Sequence, residues 1–370
     1  MKKILVLILA LLMVICTFVS CNSNDINNNN NNNYNNNYSN NSNNNSNNSI
    51  NKETKKETKA TTKSETKVTT DTKKETISPS KTDTEIEASK GLNFELIEYG
   101  KSYSVTGIGY CQDTEIIIPD RHNGLPVTSI GDSAFYNNKN IISITIPNSI
   151  TSIGYKAFSS CSNLTSVSLG NNITNIGDAA FLLCDKLIEV INKSNFNITK
   201  GSIEYGGVAQ QALEVHTGDS KIVNKDGYLF YTYGGTNYLV NYIGTDSNIT
   251  LPVNYNNKNY IIHQYAFARN ENILSVTIPD SVTSIGNRAF VVCSKLINVT
   301  IGNNVTSIDG YAFYNCTSLV SATFKSTSNW NVSSNTGTNK APISSSDLAN
   351  TSTAAKYLTK TYPNYSWERN

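Results

Sequence analysis

The sequence predicts a mostly β solenoid of 23-residue coils, set in two blocks with a β-hairpin insertion between them and a disordered tether in front. Three observations lead there. The dipeptide Ala-Phe recurs with Phe at 135, 158 and 181 and again at 267, 290 and 313, each step within a triplet being 23 residues. A short β-branched run precedes each Ala-Phe, and β-branched residues suit strands. The stretch 22–90 is too poor in apolar side chains to offset chain entropy. Composition agrees: 16% of residues are charged, below the usual quarter, and 21 Tyr stand against two Trp and two Met.

The chain begins with a targeting pattern. Lys2 and Lys3 form a basic start, and residues 4–15 form an apolar run too short to span a bilayer comfortably. Phe18-Val19-Ser20-Cys21 resembles a bacterial lipobox, in which the cysteine is lipid-modified and becomes the mature N-terminus. Phe18 departs from that pattern, which usually has Leu. Ordinary signal cleavage with Cys21 incidental fits the same residues, and the polar tract starting at Asn22 favours lipidation. Residues 1–21 are therefore expected to be a lipoprotein-type signal peptide.

Residues 22–90 are the expected tether. The first part, to residue 51, is almost entirely Asn and Ser; the second is built from Lys, Glu and Thr with ten Lys and eight acidic residues. Such mixed charge reads as a solvated linker rather than a membrane-binding basic arm. As a coil it reaches about 45 Å. The remainder holds 18 basic and 19 acidic residues, so nothing in its charge points to nucleic acid, and membrane contact is expected only through the lipid anchor.

Each coil has a physical logic. The runs Val127-Thr-Ser-Ile130, Ile150-Thr-Ser-Ile153, Ile173-Thr-Asn-Ile176, Val282-Thr-Ser-Ile285 and Val305-Thr-Ser-Ile308 read as brief strands. Gly131, Gly154, Gly177 and Gly286 follow, as expected where φ is positive or the backbone bends sharply. Asp309 takes that place in the last coil and His263 in the fourth, which is expected to be irregular. The Phe ring then plugs the coil interior. After it come Asn138, Cys161 and Cys184, then Asn270, Cys293 and Cys316, and a second strand typified by "LTSVSLG" at 164–170. Alternation turns Val167 and Leu169 inward and Ser166 and Ser168 outward.

The cysteines at one period invite a disulfide reading, since stacked coils bring them within reach. The same place takes Asn in the first coil of each block, which favours small buried groups that satisfy the backbone at a corner. No metal-ligand spacing is present.

The pattern "VTSIGxxAFxxCxxLxxVxI" resembles the BspA-like, treponemal-type class of leucine-rich-repeat proteins, closely over residues 125–191 and 260–324. The resemblance implies a mostly β leucine-rich-repeat solenoid, export to the bacterial surface, and adhesion to host proteins or other cells. It implies no catalytic residues and no cofactor.

The blocks do not join in register, because Phe181 and Phe267 are not separated by a multiple of the period. The expected organisation is a first block with its β lead-in at 91–191, a β-rich insertion and second lead-in at 192–259, a second block at 260–324 and a C-terminal cap at 325–370. The insertion is rich in tyrosines, Tyr228, Tyr231, Tyr233, Tyr238 and Tyr242, which would stack on carbohydrate if exposed and only cap the array if buried.

No Ser-His-Asp or Cys-His arrangement is suggested by the three scattered histidines, His122, His216 and His263. The candidate site is therefore a surface. The outward positions of the second strands are Ser143 and Thr145, Ser166 and Ser168, Glu189 and Ile191, Ser275 and Thr277, Asn298 and Thr300, and Ser321 and Thr323. Stacked coils would align them into two ladders facing a protein ligand on a host or neighbouring cell. Beside them runs the residue that opens each strand, Ile142, Thr165, Ile188, Leu274, Ile297 or Val320; if it faces out it adds an apolar stripe, and if it faces in it is core.

Overall fold

The computed structural model describes residues 87–334 and 340–370. The signal pattern, Cys21 and nearly all of the tether lie outside the described residues.

Two parallel sheets run along the first block. One comprises Ser102–Gly107, Leu125–Ile130, Ser152–Ile153 and Asn175–Ile176, and the other Glu115–Ile117, Ser143–Thr145, Ser166–Leu169, Glu189–Asn192 and Glu214–His216. Pairing is in register, with Ser143 beside Ser166 and Ser166 beside Glu189. The second block repeats the arrangement with Tyr260–Ile262, Val282–Ile285 and Ser307–Ile308 on one side. On the other lie Asn248–Thr250, Ser275–Thr277, Asn298–Ile301 and Ser321–Phe324.

The interior is a stack of rings. Phe135, Phe158 and Phe181 lie face to face with centroids 5.1 and 5.0 Å apart, and Phe267, Phe290 and Phe313 at 4.7 and 5.0 Å. The spacing follows from strand separation in a parallel sheet, and each buried ring contributes about 1.5–3 kcal/mol of transfer free energy. The corner cysteines Cys161, Cys184, Cys293 and Cys316 are free and buried. Each thiol reaches back to the Phe carbonyl of the coil before it: Cys161 to Phe135 and Cys184 to Phe158 at 3.1 Å, Cys293 to Phe267 at 3.1 Å and Cys316 to Phe290 at 3.0 Å. The first coil of a block has no earlier Phe to reach. There Asn138 and Asn270 instead accept from backbone N–H groups two residues ahead.

The corner glycines serve a different purpose from the one expected. None of Gly131, Gly154, Gly177 and Gly286 has a positive φ. A Cβ on Gly154 or Gly177 would stand 2.6–2.7 Å from backbone atoms of the preceding coil, and one on Gly286 would stand 2.7 Å from Gln264 N. Close stacking of corners disfavours a side chain at these three positions, while the last coil accommodates Asp309 in the equivalent place. At Gly131, in a first coil, the nearest atom is 3.3 Å away, and the matching position in the second block holds His263. That coil turns regularly: Ala266 N–H bonds to His263 O as Ala289 N–H bonds to Gly286 O. The left-handed residues fall elsewhere, at Ser133, Lys156, Ala179, Tyr265, Arg288 and Tyr311 and at Asn137, Ser160, Leu183, Arg269, Val292 and Asn315.

Each block opens with an antiparallel hairpin whose second strand continues the sheet in parallel: Asn93–Ile97 with Ser102–Gly107, and Tyr228–Tyr233 with Thr236–Tyr242. The first block extends further than its Ala-Phe anchors indicate. After Glu189–Asn192 the chain makes one more, irregular coil, buries Val208, Ala209 and Ala212 in the block's core, and returns as Glu214–His216 beside Glu189–Asn192. The far end of the second block is closed by Trp330 and Trp367, by the helices Ser345–Ala349 and Thr351–Lys356, and by Ser366–Arg369 pairing antiparallel to Ser307–Ile308.

Candidate binding face

The strand-opening residues stack into a row through their own backbones. Thr165 N–H donates to Ile142 O at 2.7 Å, Ile297 N–H to Leu274 O at 2.8 Å and Val320 N–H to Ile297 O at 3.0 Å. Their side chains lie outside the coil cores, Ile142 and Ile188 in a separate cluster and Ile297 and Val320 exposed, and the two blocks treat the row differently.

In the first block the row is covered. The hairpin 228–242 has two apolar faces. Phe230, Leu239 and Tyr242 enter the second block's core, while Leu229, Tyr231 and Val240 pack on Ile142 and Ile188. Thr165 and Ile188 are consequently buried without being interior to the coil. The neighbouring ladder is closed with them: Ser166, Glu189 and Ile191 are buried and leave the exposed surface assigned to them from alternation, Ser143 and Ser168 are half-buried, and Thr145 alone is fully exposed. The tyrosines of the insertion follow the same logic. Tyr231 and Tyr242 are buried, Tyr228 and Tyr238 half-buried, and only Tyr233 is exposed, so the hairpin presents no row of rings to a sugar.

The joint is polar as well as apolar. Lys186, 3% exposed, donates to Asn163 Oδ1 at 2.9 Å and to Asn241 Oδ1 at 2.7 Å. Burial drives its ammonium down to about 7, because a charge there has lost its water. Arg269 pairs with Asp185 at 2.8 Å and Gln264 with Gln211 at 2.9 Å. Glu189, fully buried, accepts from Ser166 Oγ at 2.7 Å, Ser220 Oγ at 2.6 Å, Lys221 N–H at 2.7 Å and His216 Nε2 at 3.2 Å. His216 Nδ1 accepts from Gly218 N–H, so Nε2 carries the proton and donates to Glu189. Both ring nitrogens are committed and no hydroxyl lies on the imidazole; the carboxylate ties down residues 214–222. The His263 imidazole, pushed down to about 4 by burial, meets Gln264 O through Nδ1 and no other hydrogen-bond partner among the described residues. Among the described residues no group of three or more His, Cys, Asp or Glu is placed to hold a metal, and no helix is long and apolar enough to cross a membrane.

In the second block the row is open. Ile297 is 37% exposed and Val320 61%, against 0% for Ile188, and Leu274 is half-buried. The ladder beside it is open too: Asn298 and Thr323 are exposed, and Ser275, Thr277, Thr300 and Ser321 are half-buried. Ser275 Oγ donates to Asn248 Oδ1 at 2.7 Å, and no hydrogen bond from another element closes the remaining positions. Lys186 and Asn241 escape notice in the sequence because Lys186 sits at an ordinary polar coil position, held elsewhere by Asn140, Asn163, Asn272, Lys295 and Ser318. The available signal was the unbroken run Tyr228-Leu-Phe-Tyr231, since a strand apolar on both faces is buried on both.

Stacked 23-residue coils with a Phe plug and a Cys corner define a leucine-rich-repeat solenoid. The family model for the BspA type leucine rich repeat region matches residues 109–211 and 244–356 in six copies, more than half of the chain, and the chain belongs to that family. No curated protein sequence matches it. Among solved structures it is similar to a leucine-rich repeat protein of T. pallidum, with 16% identity, covering 63% of this chain and 90% of that one, at a TM-score of 0.29. A leucine-rich cell surface protein of Faecalibacterium prausnitzii shows 17% identity over 65% and 95%, TM-score 0.21. A leucine-rich repeat protein of Bacteroides capillosus shows 28% over 34% and 93%, TM-score 0.26. The family assignment rests on the matched repeats alone.

Proposed function

We propose that the protein is a non-enzymatic binding module, held at the bacterial surface and engaging a protein ligand of a host or neighbouring cell through the outward face of its second block. The observation that carries this reading is the contrast between the blocks. The same row is sealed by the protein's own hairpin in one and left as an apolar stripe, Leu274, Ile297 and Val320, beside polar ladders in the other. Ser275, Thr277, Asn298, Thr300, Ser321 and Thr323 supply hydrogen-bonding edges to that stripe. The matching positions Ser143, Thr145 and Ser168 contribute at most a rim, and Ser166, Glu189 and Ile191 belong to the joint. A plain spacer has no use for an exposed Val and Ile in register.

Surface attachment is supported by the signal-like residues 1–21, by Cys21 in its lipobox setting and by the polar stretch behind it. Membrane contact is then through the lipid alone. Solid-phase capture of candidate matrix proteins tests the binding reading. Wild type is expected to capture at least one above an unrelated solenoid, and Ile297→Glu with Val320→Glu to lose it; capture unchanged by both substitutions refutes the assigned face. Metabolic labelling with a fatty acid tests the anchor, label being expected in wild type and absent in Cys21→Ala.

A further inference from the structure

We infer that the ligand of the open row is a β-hairpin of a partner protein, whose docking face carries aliphatic or aromatic side chains on alternate positions around a side-chain amide or carboxylate oxygen. This rests on the binding-module reading above and specifies its partner.

The first block shows what this kind of surface receives. Its row takes the outer face of a hairpin, Leu229, Tyr231 and Val240 seating on Ile142 and Ile188, with Asn241 Oδ1 meeting Lys186 and Asn163 beside them. The second block carries the same set in the same coil positions. Asn272 and Lys295 lie one period apart, as Asn163 and Lys186 do, and the strand openers that follow them are Leu274 and Ile297 where the first block has Thr165 and Ile188. Val320 adds a third apolar residue to the row, which spans three coils as Ile142, Thr165 and Ile188 do in the first block. Both Asn272 and Lys295 are exposed, so the polar half of the set is as unfilled as the apolar half.

The hairpins themselves support this pairing of face and partner. The lead-in 93–107 docks on no earlier coil; the exposed positions of its outer face, Glu95 and Thr106, are polar, and its exposed Leu96 falls on the opposite face with Phe94. The lead-in 228–242 docks on a block, and its outer positions are Leu229, Tyr231 and Val240. An apolar outer face therefore accompanies docking in this molecule. The C-terminal cap does not take the row, because Trp330 and Trp367 turn into the core and Val320 stays open. A sheet face also suits the row geometrically, since neighbouring strands of a hairpin and stacked coils share a spacing of about 4.8 Å.

The probe is a backbone-cyclised, dye-labelled peptide of residues 227–244 carrying Tyr228→Thr, Phe230→Thr, Leu239→Thr and Tyr242→Thr, so that the face opposite the docking face is polar. Fluorescence anisotropy with the full chain is expected to show saturable binding. Val320→Glu or Ile297→Glu is expected to weaken it at least tenfold, and Lys295→Glu, or Asn241→Ala in the peptide, several-fold. Leu96→Glu, at an exposed position of the lead-in 93–107, is expected to leave it unchanged. Because Ile297 and Val320 are exposed, these variants retain the wild-type circular dichroism; Val320→Thr serves as a milder second probe of the row. Absence of saturable binding, or equal affinity across the variants, overturns the inference. If capture of a matrix protein depends on Ile297 and Val320 while the hairpin probe fails to bind, the binding face stands and the hairpin partner falls.

Discussion

The Lys186 ammonium lies 2.7 Å from Asn241 Oδ1, joining two residues 55 positions apart and, with them, the first block to the hairpin that opens the second. The contact is buried, so its protonation state is part of the protein's stability. Burial holds Lys186 near 7 in the fold, whereas an unfolded lysine titrates near 10.5. Between those values the unfolded chain binds the extra proton, so stability rises with pH from about 7 towards 10. Lys186→Gln, which keeps a donor for the asparagines, is expected to flatten that rise in urea titrations at pH 7, 8.5 and 9.5. Above pH 10 the sign reverses, because burial raises Tyr228 to about 12 and the folded state retains a proton the unfolded chain loses.

His263 produces a second, lower window. Its folded value of about 4 lies below the ordinary 6.5, so the unfolded chain takes up the proton first as pH falls. Stability contributed by the neutral ring is expected to fall between pH 6.5 and 4, and His263→Gln to remove that component from the acid limb of a thermal-melt series.

Glu189 tethers the 214–222 segment through two donors, Ser220 Oγ and Lys221 N–H, and the His216 imidazole. Glu189→Ala strands the Ser166 hydroxyl and the Lys221 N–H in a closed space, a cost of about 3 kcal/mol. Limited trypsin digestion is expected to cut after Lys221 markedly faster in Glu189→Ala than in wild type, with Glu189→Gln intermediate. Equal cleavage rates count against the tether.

The corner thiols are sequestered. Burial pushes Cys161 up to about 12 and Cys184 well above the ordinary thiol range, and thiolate is the reactive form. Ellman's reagent at pH 8 is expected to leave both unmodified in the folded protein and to label them on addition of denaturant.

Val292 sits at φ 60°, a region a β-branched residue enters only under strain. The matching positions in other coils hold Asn137 and Asn315 in the same conformation. Val292→Asn is expected to raise stability by about 1 kcal/mol, seen as a higher urea midpoint with unchanged slope.

Much of the coil was legible from one chain of letters, because everything that forms it is local or recurs every 23 residues. Phe158 stacks between Phe135 and Phe181 since identical coils place identical rings one strand apart. Cys161 pairs with a carbonyl in the adjacent coil for the same reason. The glycine corners were located correctly but explained by the wrong constraint, because steric contact with Gly131 and Asp132 becomes visible only when coils are stacked.

The alternation of Ser166, Glu189 and Ile191 likewise stated which side of the strand they occupy, and that side is outside the coil. What lies beyond that side is another matter. Whether an outward residue meets water or protein depends on an element brought from far along the chain, and periodicity carries no record of it. The sequence by itself determined the solenoid, its period, its plugs and its outward rows. The tertiary structure alone decided that hairpin 228–242 closes the row at Ile142, Thr165 and Ile188 while Leu274, Ile297 and Val320 stay open, because burial there is a long-range packing outcome and not a property of the repeat.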